Sequence, residues 1–336
     1  MMPMTMSNQM ALKEQIHALI GEDLVSVNSL LTAQFRSPSN FVQDVAQHVS
    51  RFQGKQIRPV LTLLSARMFD GFVTGRRTAH RLAAVVEMIH TATLVHDDVI
   101  DDAELRRHVS TVHRRWNTET SVLFGDYLLS RAFHLAATTG DAEACRMIGQ
   151  ATDRTCEGEL NQIAARLEQS TSERDYFRII GGKTGQLFSI SCQLGARAAG
   201  ATDSQQRRLG RFGMRVGLAF QIADDVLDLT GNEEETGKDA ANDLTNHRLT
   251  LPLLRALRAA SSEEKNRLMD QFASAAAGEQ TRLQEQPLVQ QGLESAQATA
   301  QALVRRAIRS LDLLAFTPAR ELLKHIAEFA GQRTAH

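Results

Sequence analysis

The chain is 336 residues long and carries 38 Lys and Arg against 39 Asp and Glu, a formal net charge of −1. That balance argues against a nucleic-acid binder, which would show a basic excess. Apolar residues at 43% with so small a net charge argue against disorder. No apolar run approaches the roughly 18 residues of a membrane-spanning helix. The N-terminal MMPMTMSNQM lacks the basic and apolar regions of a signal peptide, so a cytoplasmic protein is expected, with residues 1–10 a flexible N-terminus. Cys145, Cys156 and Cys192 lie far apart and read as buried thiols of a reducing compartment, neither a disulfide frame nor a zinc site.

Taken in order, the segments predict helices from end to end. No proline occurs between Pro59 and Pro252, a stretch in which a β-rich chain would spend several on turns. Ala and Leu dominate the apolar residues and Tyr and Trp are scarce, which favours helix over strand. Apolar residues recur at helical spacing in 60–69 and run almost all round in 82–95, 121–135 and 210–229, as in helices buried in a large core. Stretches 200–204 and 231–246 are polar and turn-rich but short enough for loops, and 259–301, rich in Ala, Glu and Gln, predicts surface helices. Nothing reads as a domain linker, so residues 1–336 are expected to form one all-α domain of about a dozen helices.

Two acidic motifs punctuate this pattern. Asp97-Asp98-Val99-Ile100-Asp101-Asp102 and Asp224-Asp225-Val226-Leu227-Asp228 both fit D-D-x-x-D, and each follows a long apolar stretch. On a helix, residues four apart share a face, so Asp97 projects with Asp101 and Asp224 with Asp228. Clustered carboxylates beside a buried helix repel one another and resist desolvation. A hard cation between them relieves both, and Mg²⁺ favours one or two carboxylates with phosphate oxygens and waters. A solvated helix end would also tolerate one such cluster; two copies on two apolar helices make the metal reading the stronger. Basic residues accompany them: Lys55 and Arg58 in GKQIRP, Arg106 and Arg107 after the first motif, Lys183 in GGKTGQ and Lys238 after the second. GGKTG lacks the spacing and the preceding strand of a P-loop. Each basic residue alone reads as a surface charge; together with the acidic motifs they suit a site for two polyanions, one held through Mg²⁺ and one directly.

The segments GKQIRP, EMIHTATLVHDDVIDDAELRR, STVHRRWNTETSVLFGDYLLSRAF, CEGELNQ, GGKTGQLF, FQIADDVLDLTG and GKDAANDL followed by TLP closely resemble the trans-isoprenyl diphosphate synthases, or polyprenyl synthetases, from about Lys55 to the C-terminus. The resemblance implies the isoprenoid synthase fold, an all-α single-domain bundle around a deep central cavity, usually as a homodimer. It implies head-to-tail condensation of an allylic diphosphate with isopentenyl diphosphate, with Mg²⁺ (or Mn²⁺) as cofactor. By the same resemblance, Asp97, Asp98, Asp101, Asp224, Asp225 and Asp228 hold the metal. Lys55, Arg58, His90 and Arg107 bind isopentenyl diphosphate. Arg106, Lys183, Thr184, Gln221 and Lys238 serve the allylic diphosphate, its leaving group and the forming cation. Without the family match, His90 would read as a core or rim histidine, and Phe188 and Phe220 read as core packing.

Three positions depart from the family pattern: Gln56 where a basic residue is usual, His108 where Gly is usual, and Arg248 where Lys is usual. In the family a bulky aromatic four or five residues before the first aspartate stops short-chain synthases. Here those positions are Ala92 and Thr93, so the floor is expected deeper, towards Phe133, and the product to be a medium- or long-chain polyprenyl diphosphate, longer than geranylgeranyl. The rival readings are a farnesyl or geranylgeranyl diphosphate synthase, a terpene cyclase, which would not need GKQIRP or the paired arginines, and a regulatory subunit, which would typically lack an aspartate motif. A carboxylate-bridged di-metal bundle would want Glu-x-x-His pairs, and none is read on the two motif helices.

Overall fold

The computed structural model describes residues 6–52, 54–167, 171–230, 248–276 and 283–331. Helix dominates them, as the composition predicts: α1 (Met6–Gln34), α2 (Asn40–Val49), α3 (Ile57–Arg67), α4 (Phe72–Ile100), α5 (Val112–Arg115), α6 (Thr118–Ala137), α7 (Ala142–Leu167), α8 (Glu173–Ile180), α9 (Gln186–Ala198), α10 (Asp203–Thr230), α11 (Leu251–Ala259), α12 (Ser262–Ala276), α13 (Pro287–Leu311) and α14 (Pro318–Ala330). Pro59, Pro252, Pro287 and Pro318 all fall in the first turn of a helix, where the missing N–H has no intrahelical partner to lose. Side-chain caps start others: Asn117 Oδ1 accepts from the Thr120 N–H at 2.7 Å ahead of α6, and Ser172 with Asp175 forms a capping box on α8. Helix α1 begins at Met6, within the stretch expected to be flexible. Residues 1–5 and the expected loop 231–246 lie outside the described residues.

The chain divides into two compact units. The first comprises Met1–Asp153, Leu187–Gly213 and Ile308–Ile326. Its spine is α4, which packs along α6, α3 and α1. Val85, Met88, Ile89, Ala92 and Val95 of α4 are fully buried or nearly so. One apolar cluster joins α4 to α2 and α6 through Val45, Val49, Phe52, Ala92, Phe124 and Leu128. A buried polar knot ties α1 to α3 and α4: the fully buried Asp23 accepts from Arg67 Nη2 at 2.8 Å, Arg76 Nε at 2.5 Å and His80 Nε2 at 2.8 Å. Burial pushes the Asp23 pKa up, but these donors outweigh it and leave the carboxyl below its ordinary value.

The second unit comprises Arg154–Gln186, Met214–Ala307 and Ala327–His336. Its α11 is held to the start of α8 by Arg255, whose Nη2 lies 2.6 Å from Glu173 Oε1. Between α8 and α9, residues Gly181–Gly185 form a π-helical turn.

The exception to helix among the described residues is a hairpin of β1 (Leu105–Arg106) and β2 (Val109–Ser110), antiparallel, with Arg106 opposite Val109. Arg107 and His108 are its two loop residues, at φ 52° and 63°. Two left-handed residues are what a tight type I′ turn requires. This explains the glycine usual at position 108: His108 adopts the same conformation at a cost of roughly 1–2 kcal/mol. The expectation of three buried thiols needs correction. Cys192 is buried, and burial pushes its pKa up to about 12, but Cys145 is half-buried and Cys156 exposed on α7.

Candidate active site

Both acidic motifs sit at the C-terminal ends of long helices. Asp97 and Asp98 lie in the last turn of α4 and Asp101 is its C-cap, while Asp224, Asp225 and Asp228 occupy the last two turns of α10. Neither helix has a basic residue in its last turn. The backbone carbonyls there form the negative pole of the helix dipole, so each carboxylate adds to like charge.

In both motifs the middle aspartate is committed to protein donors. Asp98, 1% exposed, accepts from Arg106 Nε at 2.8 and 3.0 Å and from its Nη2 at 2.6 Å. Burial raises its pKa, against the lowering effect of Arg106. Asp225, 4% exposed, accepts from Tyr176 Oη at 2.6 Å and Gln221 Nε2 at 2.8 Å. The outer aspartates, four residues apart in each motif, share a helix face. Two hard oxygen donors per helix fit a cation that completes its shell with phosphate and water. No three Asp, Glu, His or Cys among the described residues gather into a metal cage. Glu87 and His90 do have the Glu-x-x-His spacing on α4, a pair the sequence reading passed over.

The first unit also gathers the basic residues. Arg58, on α3, is 9% exposed, and its Cζ stands 5.0 Å from the ring centroid of the fully buried Phe188. Phe188 is thus core packing, as expected, and also a cation–π support. Burial pushes the Arg58 pKa down to about 10, with the charge of Glu87 opposing. The Nε of Arg58 and the Oε2 of Glu87 are both buried without a hydrogen-bond partner. His90, one turn beyond Glu87, is held well below its ordinary pKa by burial and then by the charges of Arg58, Arg106 and Arg107, so at neutral pH it is a neutral imidazole. Arg107 Nη1 donates to the Phe52 carbonyl at 2.5 Å. Gly54 makes room for it: a Cβ there would stand 2.2 Å from Arg107 Nη2. The glycine of GKQIRP therefore brings the hairpin arginine onto the loop that carries the exposed Lys55. Gln56, at φ 48°, donates instead to Asn28 Oδ1 at 2.7 Å on α1.

The second unit places Lys183, Thr184 and Gln221 together around the π turn, a distortion that recurs at functional sites. Lys183 Nζ pairs with Glu159 at 2.7 Å, and Thr184 Oγ1 donates to Gln221 Oε1 at 2.7 Å. Gly158 lets α7 meet this turn, since a Cβ there would lie 2.6 Å from the Lys183 nitrogen. Gln162, with its amide oxygen facing Arg248, accepts from that residue's Nε at 2.5 Å and Nη2 at 3.1 Å. Lys238 lies outside the described residues.

The sequence reading missed Glu159, Tyr176, Glu87 and Gly54. Glu159 lies in the quoted CEGELNQ, 24 positions before Lys183, and no local pattern joins the two. Tyr176 was detectable as one of only two tyrosines in the chain, because a buried phenol needs a partner. The chain-length residues are placed as follows. Thr93 lies four residues before Asp97, about 40° around the helix from it, and Ala92 five before, about 140° around. Ala92 is fully buried against α2 and α6, where Phe124 and Leu128 belong to its cluster. Phe133, expected as a deeper floor, is 38% exposed and lies outside that cluster.

A family profile for polyprenyl synthetases matches residues 39–286, which draw on both units. The chain is 40% identical over 242 residues to heptaprenyl diphosphate synthase component 2 of Geobacillus stearothermophilus, covering 72% of this chain and 75% of that protein. It is 33% identical over 252 residues to octaprenyl diphosphate synthase of Escherichia coli, covering 75% and 77%. The crystal structure of a polyprenyl synthase from Caulobacter crescentus CB15, complexed with calcium and isoprenyl diphosphate, superposes with a TM-score of 0.86 at 33% identity, covering 96% of this chain and 98% of that one. With a profile match over most of its length, two relatives above 30% identity and a matching helical architecture, the chain belongs to the polyprenyl synthetase family.

Proposed function

We propose that this protein is a Mg²⁺-dependent trans-prenyltransferase of the cytoplasm that condenses an allylic diphosphate with isopentenyl diphosphate, head to tail, into a polyprenyl diphosphate longer than geranylgeranyl. The observation that carries this reading is the division of labour among the charged groups. Acidic oxygens are stacked at two helix ends that call for cations, and a separate group of donors, the buried Arg58, the half-buried His90 and the exposed Arg107, is tempered by the single carboxyl of Glu87. One suits a diphosphate that arrives with metal; the other suits one bound directly. The hepta- and octaprenyl synthases among its relatives support the longer product, and two complete aspartate motifs weigh against a regulatory subunit. Three cysteines far apart in the sequence suit a reducing compartment.

In the reaction, the allylic C–O bond breaks and its electron pair leaves with pyrophosphate. The π pair of isopentenyl diphosphate then forms the new C–C bond, and a proton is lost from the adjacent carbon to the released pyrophosphate. Mg²⁺, when bound by Asp97 with Asp101 and by Asp224 with Asp228, supplies positive charge for the leaving group. Arg106 fixes Asp98 and so the end of α4. Lys55, Arg58, His90 and Arg107 hold the second diphosphate by direct hydrogen bonds, and Lys183 adds charge near the leaving group.

Turnover is expected to require Mg²⁺ or Mn²⁺. Asp97→Ala and Asp224→Ala should each cost orders of magnitude with the helical circular dichroism intact, about as much as losing a main electrostatic contact. Full turnover in excess EDTA would end the metal assignment. Arg58→Ala should raise the KM for isopentenyl diphosphate more than that for the primer, by an amount equivalent to roughly 1.5–3 kcal/mol; a rise in the primer KM alone would reverse the two sites.

We assign the control of product length to Ala92 and Thr93. Thr93 shares the aspartate face, and Ala92 is walled by Phe124 and Leu128. A packed wall does not yield to a larger ring. Thr93→Phe and Ala92→Tyr should therefore shorten the main product towards farnesyl or geranylgeranyl diphosphate, as sized by chromatography. Unchanged distributions in both would remove this helix face from length control.

We also propose a homodimer. Val122, Leu123 and Phe133 of α6 are 40%, 68% and 38% exposed and fall within one sector of about 100° on the helix. An apolar face of this kind suits a second copy across an interface of more than about 2,000 Å². Light scattering of the purified chain at micromolar concentration should give twice the monomer mass. A monomer would point instead to a different subunit, an arrangement suggested by the "component 2" of its Geobacillus relative.

A further inference from the structure

His48, on α2, is buried at 3% exposed, and both of its ring nitrogens are engaged. Nε2 lies 2.6 Å from the carbonyl oxygen of Ser110, at the end of β2. Nδ1 lies 3.2 Å from Arg115 Nη1, at the end of α5. A carbonyl only accepts and a guanidinium only donates. The two partners therefore force one tautomer, in which Nε2–H donates to Ser110 and the bare Nδ1 accepts from Arg115. Burial, and then the charges of Arg115 and Arg51, hold the His48 pKa below its ordinary value against the bond to Ser110, in keeping with a neutral ring. The ring also meets those of Phe52 and Trp116 edge to face, at 5.4 and 5.2 Å.

Both ends of the Arg107 anchor converge on this ring. Arg107 leaves the tight turn of the hairpin, and its Nη1 donates to the Phe52 carbonyl at 2.5 Å. His48 holds the hairpin through Ser110 and packs on the side chain of the same Phe52. The base of the hairpin is closed by Thr111, whose N–H donates to the Glu104 carbonyl at 3.0 Å and whose Oγ1 donates to the Ala103 carbonyl at 2.7 Å. His48 ties this closed unit to α2. A turn of two left-handed residues persists only where its surroundings over-determine it. Arg106, on the same hairpin, has a separate fixation in its hydrogen bonds to Asp98 on α4. Loss of the His48 bonds thus loosens Arg107 more than Arg106.

We infer that His48 is a positioning residue: by holding Ser110 and Phe52 in one arrangement it aims the guanidinium of Arg107 at the diphosphate of isopentenyl diphosphate. This rests on the proposed prenyltransferase reading and deepens it. One of the five N–H groups of Arg107 is spent on Phe52, which fixes the direction in which the others point.

The test is His48→Phe, which keeps an aromatic ring beside Phe52 and Trp116 but removes both hydrogen bonds. Isopentenyl diphosphate has no allylic carbon to ionise, so its Kd for the full chain is read by titration calorimetry without turnover. That Kd, and the KM for isopentenyl diphosphate, should rise about fivefold, as for the loss of one neutral hydrogen bond. The primer KM and kcat at saturation should stay within about twofold. His48→Gln, whose amide both donates and accepts, should recover most of the affinity. In an Arg107→Ala background, His48→Phe should cost no further affinity. A purely structural histidine would lower thermal stability with the Kd unchanged, or weaken both substrates alike. Either result would overturn the inference, as would a full loss persisting in Arg107→Ala. Should His48→Phe fail to fold, His48→Val, too small to overfill the site, must give the same selective loss. A wild-type protein that binds isopentenyl diphosphate but turns over no primer would defeat the prenyltransferase reading and leave the positioning role to be judged by the Kd values.

Discussion

The constraint on which this structure depends is negative charge at the C-terminal ends of α4 and α10. Three aspartates on each helix lie at the pole where the backbone carbonyls already concentrate negative charge. Left alone, such an arrangement destabilises the helix end that bears it. Each motif relieves the problem in the same way, by handing its middle aspartate to the protein. Arg106 takes Asp98 with a charged fork, and Tyr176 with Gln221 takes Asp225 with two neutral donors. The difference in donors matters. A guanidinium cancels charge, so the α4 motif approaches the substrate with one negative charge neutralised. The neutral donors Tyr176 and Gln221 do not themselves cancel the charge of the carboxylate they hold.

The same economy explains why several residues look structural and are better read as parts of the site. Arg106 is carried by a two-residue hairpin whose tight turn forces Arg107 and His108 into left-handed backbone. The strain sends two adjacent arginines to different tasks, one onto Asp98 and the other across Gly54 onto the Phe52 carbonyl. An extended segment would have pointed alternate side chains to opposite faces at no conformational cost, but it would not have turned back within two residues. Strain held by its surroundings at a working position is the usual signature of such a compromise.

Much of this was legible in the sequence, and the rest was hidden for identifiable reasons. The helices followed from composition, period and the prolines, because these are local properties and α4, α6 and α10 obey them. The aspartate motifs were legible because i to i+4 spacing is a helix rule. The hairpin at 105–110 was not, since two residues per strand carry no alternation to read. Residue Ala92 shows a subtler limit. Distance along a helix can be counted from sequence, but rotation about it matters equally, and five residues leave Ala92 about 140° from Asp97. Pairings such as Lys183 with Glu159 and Tyr176 with Asp225 join residues 24 and 49 positions apart, and no local pattern foretells them.

The two diphosphates that the proposed reaction needs carry the same charged group, so recognition cannot rest on the phosphates alone. The chain separates them by the sign of what it offers. Carboxylates repel a bare diphosphate and accept one only with cations between, whereas on the proposed reading the basic residues around Arg58 take a bare diphosphate and repel extra cations. The half-buried Glu87 sharpens this. Its Oε2 has no hydrogen-bond partner, and burial raises its pKa against the pull of Arg58 and Arg107. A carboxyl in that state tempers the positive pocket without offering an exposed metal ligand. His90 complements it, because a neutral imidazole can donate to a phosphate oxygen without adding a further charge to Arg58 and Arg107. On the proposed reading, electrostatics of this kind let one chain hold two like anions at once and expose only one of them to the charge that breaks its bond.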